Sequence, residues 1–283
     1  MIKNILTIDL EDWFQSSLEL FGKYISNSKE LSLPTKRVVE NTYKLLELLS
    51  LYNTKATFFV LGNVAELFPF LVKEIYNQGH EIASHGYSHK LVYKQTREEF
   101  REDLRKSIKI IEDITGEKIL GYRAPYFSIR EDSMWAIEIL KEEGLKYDAS
   151  IFPLKRKLYG VSETKIDTNG VVEFPVSKIS FLGYEFPFGG GGYLRLFPYA
   201  LTKWAIRKLN KQRVNAIVYV HPYEIDIDDF QNYMLPNNIK IWFIRFTQEY
   251  NRKKTLNKLL MLLRDFMFVP IKDLLYLDYT ERC

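Results

Sequence analysis

His85 and His89 stand four residues apart in Ser84-His85-Gly86-Tyr87-Ser88-His89, in a chain with only four histidines. Two imidazoles at that spacing can face one point in space, across one helical turn or around a tight loop. Neutral imidazole is a preferred ligand of zinc and related divalent metals. An acidic cluster, Asp9-Leu10-Glu11-Asp12, follows a short apolar run and can supply an oxygen ligand. The set points to metal-assisted hydrolysis. Taken alone, the histidine pair fits polar surface residues after a strand better than a metal site.

The elements that must position these groups alternate. Ile2 to Asp9 reads as a buried strand, and Thr35 is placed to cap a helix carrying Val38, Val39, Leu45, Leu46, Leu48 and Leu49. Ala56–Leu61 is a β-rich run closed by Gly62, and a helical stretch from about Leu67 to Gln78 stops at Gly79. Glu81-Ile82-Ala83 is a short strand that delivers His85. Thr96-Arg97-Glu98-Glu99 is a capping box opening a helix that Gly116 terminates. A strand at Ile119–Tyr122, a helix from Asp132 to Glu143 and a strand at Ala216–Val218 follow. Such alternation implies parallel strands joined by crossovers. Asp9, His85, Arg123 and His221 all fall at strand ends, where a parallel α/β barrel builds its site.

Composition bounds the rest. The 283 residues are 46% hydrophobic and 27% charged, which suits one large α/β domain or two small ones. Tyr and Phe number 19 each, mostly as core packing, with a groove for sugar rings as the functional alternative. A net charge of +4 with no recognised binding motif is weak evidence for nucleic acid, and none is expected as a partner. Arg245, Arg252, Lys253, Lys254, Lys258 and Arg264 gather late in the chain, as a solvated helix face or a peripheral membrane contact. The single cysteine, Cys283, rules out an internal disulfide and a cysteine-based zinc site. No apolar stretch approaches a spanning helix, and the opening residues do not read as a signal peptide. The expectation is a cytoplasmic protein, at the inner face of the membrane if the basic region binds lipid.

Further motifs complete the pattern: Arg123-Ala124-Pro125-Tyr126, Tyr147-Asp148-Ala149-Ser150, a Gly189–Gly192 loop where backbone can approach a ligand, and Tyr219-Val220-His221-Pro222-Tyr223-Glu224. In this order the chain resembles the polysaccharide deacetylases of the NodB homology type, carbohydrate esterase family 4, over residues 1–225. The region beyond His221, with Arg245-Phe246, Tyr250-Asn251, Leu263-Arg264-Asp265-Phe266 and Phe268-Val269-Pro270, is similar to the extension of the exopolysaccharide-locus subgroup. So is the glycine loop with Tyr193-Leu194-Arg195. One catalytic domain is therefore expected, a barrel over 1–225 with the extension 226–283 packed on it.

The resemblance implies a distorted (β/α) barrel that removes N-acetyl groups from amino sugars of a surface polysaccharide or its lipid-linked precursor. It implies His85 and His89 as metal ligands, with Zn2+ the leading expectation, and Asp9 as the base that deprotonates water. Arg123 would hold Asp9, the Tyr126 N–H would stabilise the oxyanion, His221 would protonate the leaving amine, and Asp148 would orient His221. Amide hydrolysis independently needs a polarised carbonyl, an activated water and a proton for a poor leaving group. The family pattern has two adjacent aspartates, and here Glu11 and Asp12 both remain open as the acid ligand. His80 fits no motif and reads as structural. Competing readings are a metal-dependent amidohydrolase acting on a small cyclic amide or ureide, and an inactive glycan-binding barrel.

Overall fold

The computed structural model describes residues 2–15, 34–154, 170–227, 239, 242, 246 and 248–275. Arg245 and Cys283 lie outside the described residues.

Strand β1 (Lys3–Leu10) is buried from Asn4 onward on both faces, as a central parallel strand must be. Helix α1 (Lys36–Leu51) follows, with Thr35 capping it by accepting from the Arg37 N–H and Val38, Leu45, Leu46, Leu48 and Leu49 buried. Next come β2 (Thr57–Val60), α2 (Gly62–Leu67) and α3 (Pro69–Asn77). Pro69 starts a fresh helix, so the expected single stretch divides after Leu67. Strand β3 (Glu81–Ser84) leads to α4 (Arg97–Thr115), which the Thr96/Glu99 capping box opens and left-handed Gly116 closes. Strand β4 is only Gly121–Tyr122, because the Ile119 amide donates to the Glu112 carboxylate rather than to a ladder.

Helix α5 (Trp135–Glu142) and the two-residue strands β5 (Tyr147–Asp148) and β6 (Val172–Glu173) continue the alternation. A hairpin of β7 (Lys178–Phe181) and β8 (Tyr184–Pro187) then leads to α6 (Gly191–Leu196) and α7 (Tyr199–Lys211). The chain ends its described course in β9 (Ile217–Val220), α8 (Arg252–Asp265), β10 (Met267–Val269) and α9 (Lys272–Leu275).

The main sheet is parallel, and β1 pairs in register with β2, β9 and β10. From β2 it runs through β3, β4 and β5 to β6, curling into a distorted, open (β/α) barrel. The seam between β6 and β9 is closed by side chains and glycines. Ser177 Oγ accepts the Ile217 N–H at 2.7 Å, and Gly189 C=O accepts the Tyr219 N–H at 2.9 Å. A Cβ on Gly190 would sit 2.1 Å from the Tyr219 ring. The glycine loop thus buys close approach to β9, with Gly191 and Gly192 alone reaching the cavity wall.

The segment beyond residue 225 is part of the sheet itself through β10, rather than only packed on the barrel. Its basic cluster is partly internal. Arg252 Nε donates to Gln248 C=O, and Lys258 Nζ donates to the carbonyls of Leu194, Arg195 and Phe197 at the end of α6. Lys253, Lys254 and Arg264 are the exposed remainder. No described helix is long and apolar enough to cross a membrane.

Candidate active site and metal centre

The expected residues converge at the C-terminal ends of the strands. Asp9, Glu11, His85, His89, Tyr126 and His221 line one cavity of about 480 Å3, walled by Phe127, Phe152, Tyr193, Tyr219 and Tyr223. A larger cavity of about 760 Å3 lies at the opposite strand ends, between Ile5, Ile217 and Leu274, away from these groups.

The histidine pair is carried by a loop, not a helix. His85 follows β3 directly, its N–H donating to Val60 C=O. Gly86 and His89 both take positive φ, 75° and 56°, which reverses the chain and brings the second imidazole back beside the first. Asp103 on α4 fixes the reversal by accepting the N–H groups of Tyr87 and Ser88 and the Ser88 hydroxyl. Nothing in the local sequence singled out Asp103, because its partners are backbone amides from another element.

Glu11 completes a buried cluster with His85 and His89, whose ligand atoms all lie within 4.8 Å of one another. Glu11 Oε2 lies 2.5 Å from His89 Nε2 and 3.8 Å from His85 Nε2. His85 Nδ1 donates to Arg123 C=O at 2.7 Å, since a carbonyl can only accept. Burial pushes His85 down to about 3, so the ring is neutral and its Nε2 lone pair faces the Glu11 carboxylate. A lone pair aimed at a buried anion is repulsive unless a cation joins them. Two imidazoles and one carboxylate around an open position are the donor set of a catalytic zinc-type centre.

Asp12 does not share in this cluster. Its carboxylate accepts from the Thr35 hydroxyl at 2.5 Å, the Thr35 N–H at 2.8 Å and the Trp13 N–H at 2.8 Å. Those contacts tie the loop after β1 to the start of α1. The chain turns at Leu10, with the Glu11 N–H donating back to Asp9 C=O, yet Glu11 stays on the cavity side. Asp12 is therefore structural, which corrects one of the two ligand expectations.

Asp9 is held by Arg123, whose Nη1 donates to Asp9 Oδ1 at 2.6 Å and to Thr7 Oγ1 at 2.7 Å. The guanidinium also lies 4.1 Å over the Phe59 ring and donates through Nε to Ala149 C=O. Tyr126 sits at φ 55° after Pro125, with its ring 4.9 Å from His89 and its hydroxyl on Gln15 C=O.

His221 faces the acids from the other side, with Nε2 3.7 Å from Asp9 Oδ2 and 3.4 Å from Glu11 Oε1. Its Nδ1 meets Glu224 Oε2 at 3.1 Å. Burial opposes a charged ring, but the Glu224 hydrogen bond, with the charges of Glu224, Glu11 and Asp9, raises His221 to about 9. Glu224, not Asp148, is thus the carboxylate beside this imidazole. Asp148 turns instead to Ser150 Oγ at 2.5 Å and to Glu173, its in-register neighbour on β6. Burial raises Asp148 to about 6 and Glu173 well above the carboxylate range. Glu224 was visible in the sequence as the fourth residue of His221-Pro222-Tyr223-Glu224, a capping-box spacing with a histidine at its head. His80 is structural, its Nδ1 accepting the Ala56 N–H.

Comparison with known proteins agrees with this picture. Residues 149–276 match a domain of unknown function, DUF3473, and residues 33–147 match the family model described as polysaccharide deacetylase. A peptidoglycan-N-acetylglucosamine deacetylase of Bacillus cereus is 42% identical over 118 residues, covering 41% of this chain and 43% of its own length. A peptidoglycan deacetylase of Helicobacter pylori is 38% identical over 108 residues, 38% of this chain and 36% of its own. The chain therefore spans less than half the length of either relative. A solved Mycobacterium smegmatis structure assigned to the polysaccharide deacetylases has 20% identity and a TM-score of 0.57, covering 100% of this chain and 92% of that one. It shares the fold. With the barrel and its histidine–carboxylate cluster, the match over residues 33–147 makes that part of the chain similar to the polysaccharide deacetylases.

Proposed function

We propose that the protein is a metal-dependent hydrolase that removes N-acetyl groups from amino sugars of a surface polysaccharide or its precursor. The observation that carries this reading is one cavity with Glu11, His85 and His89 on one wall and Asp9 and His221 beside them. Bound among the first three, a divalent cation such as Zn2+ supplies positive charge to polarise an amide carbonyl and acidify water. Asp9, locked by Arg123, is placed to take a proton from water at Oδ2, the oxygen Arg123 Nη1 does not engage. His221, protonated at neutral pH, is placed to give its Nε2 proton to the departing amine. The aromatic walls suit the apolar faces of sugar rings. The exposed Lys253, Lys254 and Arg264 support contact with an anionic membrane bearing a lipid-linked glycan, a reading that keeps the enzyme at the inner face.

The test is acetate release from N-acetylated oligosaccharides by the metal-loaded protein, by chelator-stripped protein and after metal is returned. Loss and recovery are expected. Undiminished turnover after complete stripping overturns the reading.

A further inference from the structure

Arg195, His221 and Glu224 all belong to the DUF3473-matching segment, and they form one buried chain of contacts that ends at the cavity. Glu224 Oε2 engages His221 twice, accepting its backbone N–H at 3.1 Å and lying 3.1 Å from its Nδ1. Glu224 Oε1 accepts from Arg195 Nε at 3.1 Å. Arg195 Nη1 donates to Gln248 C=O, and the Arg195 carbonyl accepts from Lys258 Nζ and Asn251 Nδ2. The His221 ring is stacked on Tyr223 at 4.9 Å and 20°. One face of the imidazole and one of its nitrogens are thereby fixed, leaving Nε2 as the atom that meets the acids and the cavity.

We infer that Glu224 and Arg195 are positioning residues for the proton donor, and that the DUF3473-matching segment exists in this chain to supply that donor arm. The inference rests on the deacetylase reading and adds the part that handles the leaving group. A carboxylate on Nδ1 holds the proton there and aims Nε2. Arg195 keeps that carboxylate in one orientation, because its Nε occupies the oxygen that His221 does not use. In the step concerned, the amide C–N bond breaks as the water oxygen completes its bond to the carbonyl carbon. The nitrogen then keeps the electron pair and takes the Nε2 proton of His221, while the water proton rests on Asp9. Acetic acid and a free amine result, and one proton passes from Asp9 back to His221 through solvent. An amine cannot leave without that proton, whereas a nitrophenolate can.

That difference supplies the test. Glu224→Gln, Arg195→Met and the double variant are compared with wild type, all metal-loaded, on an N-acetylglucosamine oligomer and on 4-nitrophenyl acetate. For Glu224→Gln the expected result is a fall in kcat on the oligomer of about 100-fold with KM little changed, and aryl-ester turnover within about threefold of wild type. The double variant should fall no further than Glu224→Gln, since the two residues act on one atom. Equal losses on both substrates, or intact oligomer turnover, overturn the inference. A second readout does not depend on activity. In protein labelled with 15N-histidine, the His221 Nδ1 proton, assigned through His221→Ala, should resonate far downfield in wild type and lose that shift in Glu224→Gln. An Nδ1 signal indifferent to Glu224→Gln overturns the inference. Wild type inactive on both substrates but with the downfield proton present sinks the deacetylase reading and leaves the positioning role standing.

Discussion

The carbonyl of Arg123 accepts the Nδ1 proton of His85 at 2.7 Å, while the guanidinium of the same residue grips Asp9 at 2.6 Å. One residue at the end of β4 therefore sets both the ligand face of an imidazole and the orientation of the candidate base. Ala124 is anchored alongside, its N–H donating to Ser150 Oγ at 2.7 Å.

Arg123→Met leaves the backbone contact to His85 but strands the Asp9 carboxylate in a buried site. Breaking a buried pair from one side costs about 3–5 kcal/mol, so a large drop in the urea midpoint is expected along with loss of activity. Asp9→Asn paired with Arg123→Met should recover part of the stability and none of the activity. Additive losses in the double variant would count against direct coupling.

Element-resolved metal content separates the two acids after β1. Glu11→Ala, His85→Ala and His89→Ala are each expected to lose stoichiometric divalent metal. Asp12→Ala should retain it, while losing about 1–3 kcal/mol of stability from the unsatisfied Thr35 and Trp13 donors. Metal lost from Asp12→Ala but kept by Glu11→Ala would reverse the assignment.

Asp148 and Glu173 give the fold a pH signature of its own. Both carboxyls are raised by burial, so the folded chain binds their protons more tightly than the unfolded chain does. Their contribution to stability is fully present below the ordinary carboxylate range and is lost as pH rises through about 6 for Asp148. Glu173→Gln should flatten the decline of the urea midpoint between about pH 4 and pH 7 relative to wild type. Parallel curves for the two proteins would exclude a shared proton.

Gly190→Ala tests the seam. The added methyl meets the Tyr219 ring at 2.1 Å, and Tyr219 is part of β9 with little room to yield. Overpacking of this kind costs about 1–3 kcal/mol. A fall in melting temperature and a shift in KM are expected, since Tyr219 also lines the cavity. An unchanged protein would mean that β9 tolerates displacement.

For the exposed basic face, charge reversal of Lys253, Lys254 and Arg264 together should abolish salt-sensitive flotation with anionic vesicles, at about 1 kcal/mol per residue. Lack of flotation by wild type removes the membrane contact.

The sequence was most legible where local rules act. Thr35, the Thr96/Glu99 box and Gly116 marked helix ends by their own hydrogen bonds and dihedrals. The strand-end positions of Asp9, His85, Arg123 and His221 followed from alternation alone. What escaped was decided by partners far along the chain. Asp12 and Glu11 differ only in which one finds Thr35, 23 residues from Asp12. Asp148 is drawn to Glu173 by strand register, and Glu224 wins His221 by a turn that the histidine itself begins. The basic cluster looked uniform as letters, yet Lys258 is consumed by three carbonyls of the α6 end.

Strand β1 carries Asp9 and leads into Glu11, and its ladder partners include Met267–Val269 from near the far end of the chain. The lower half of β1 therefore gains this neighbour only when residues 267–269 are in place. Closing so long a loop is entropically slow, so the Lys3–Ile5 half of β1 should order late, whereas the Asp9 half pairs with β2 across a much shorter crossover.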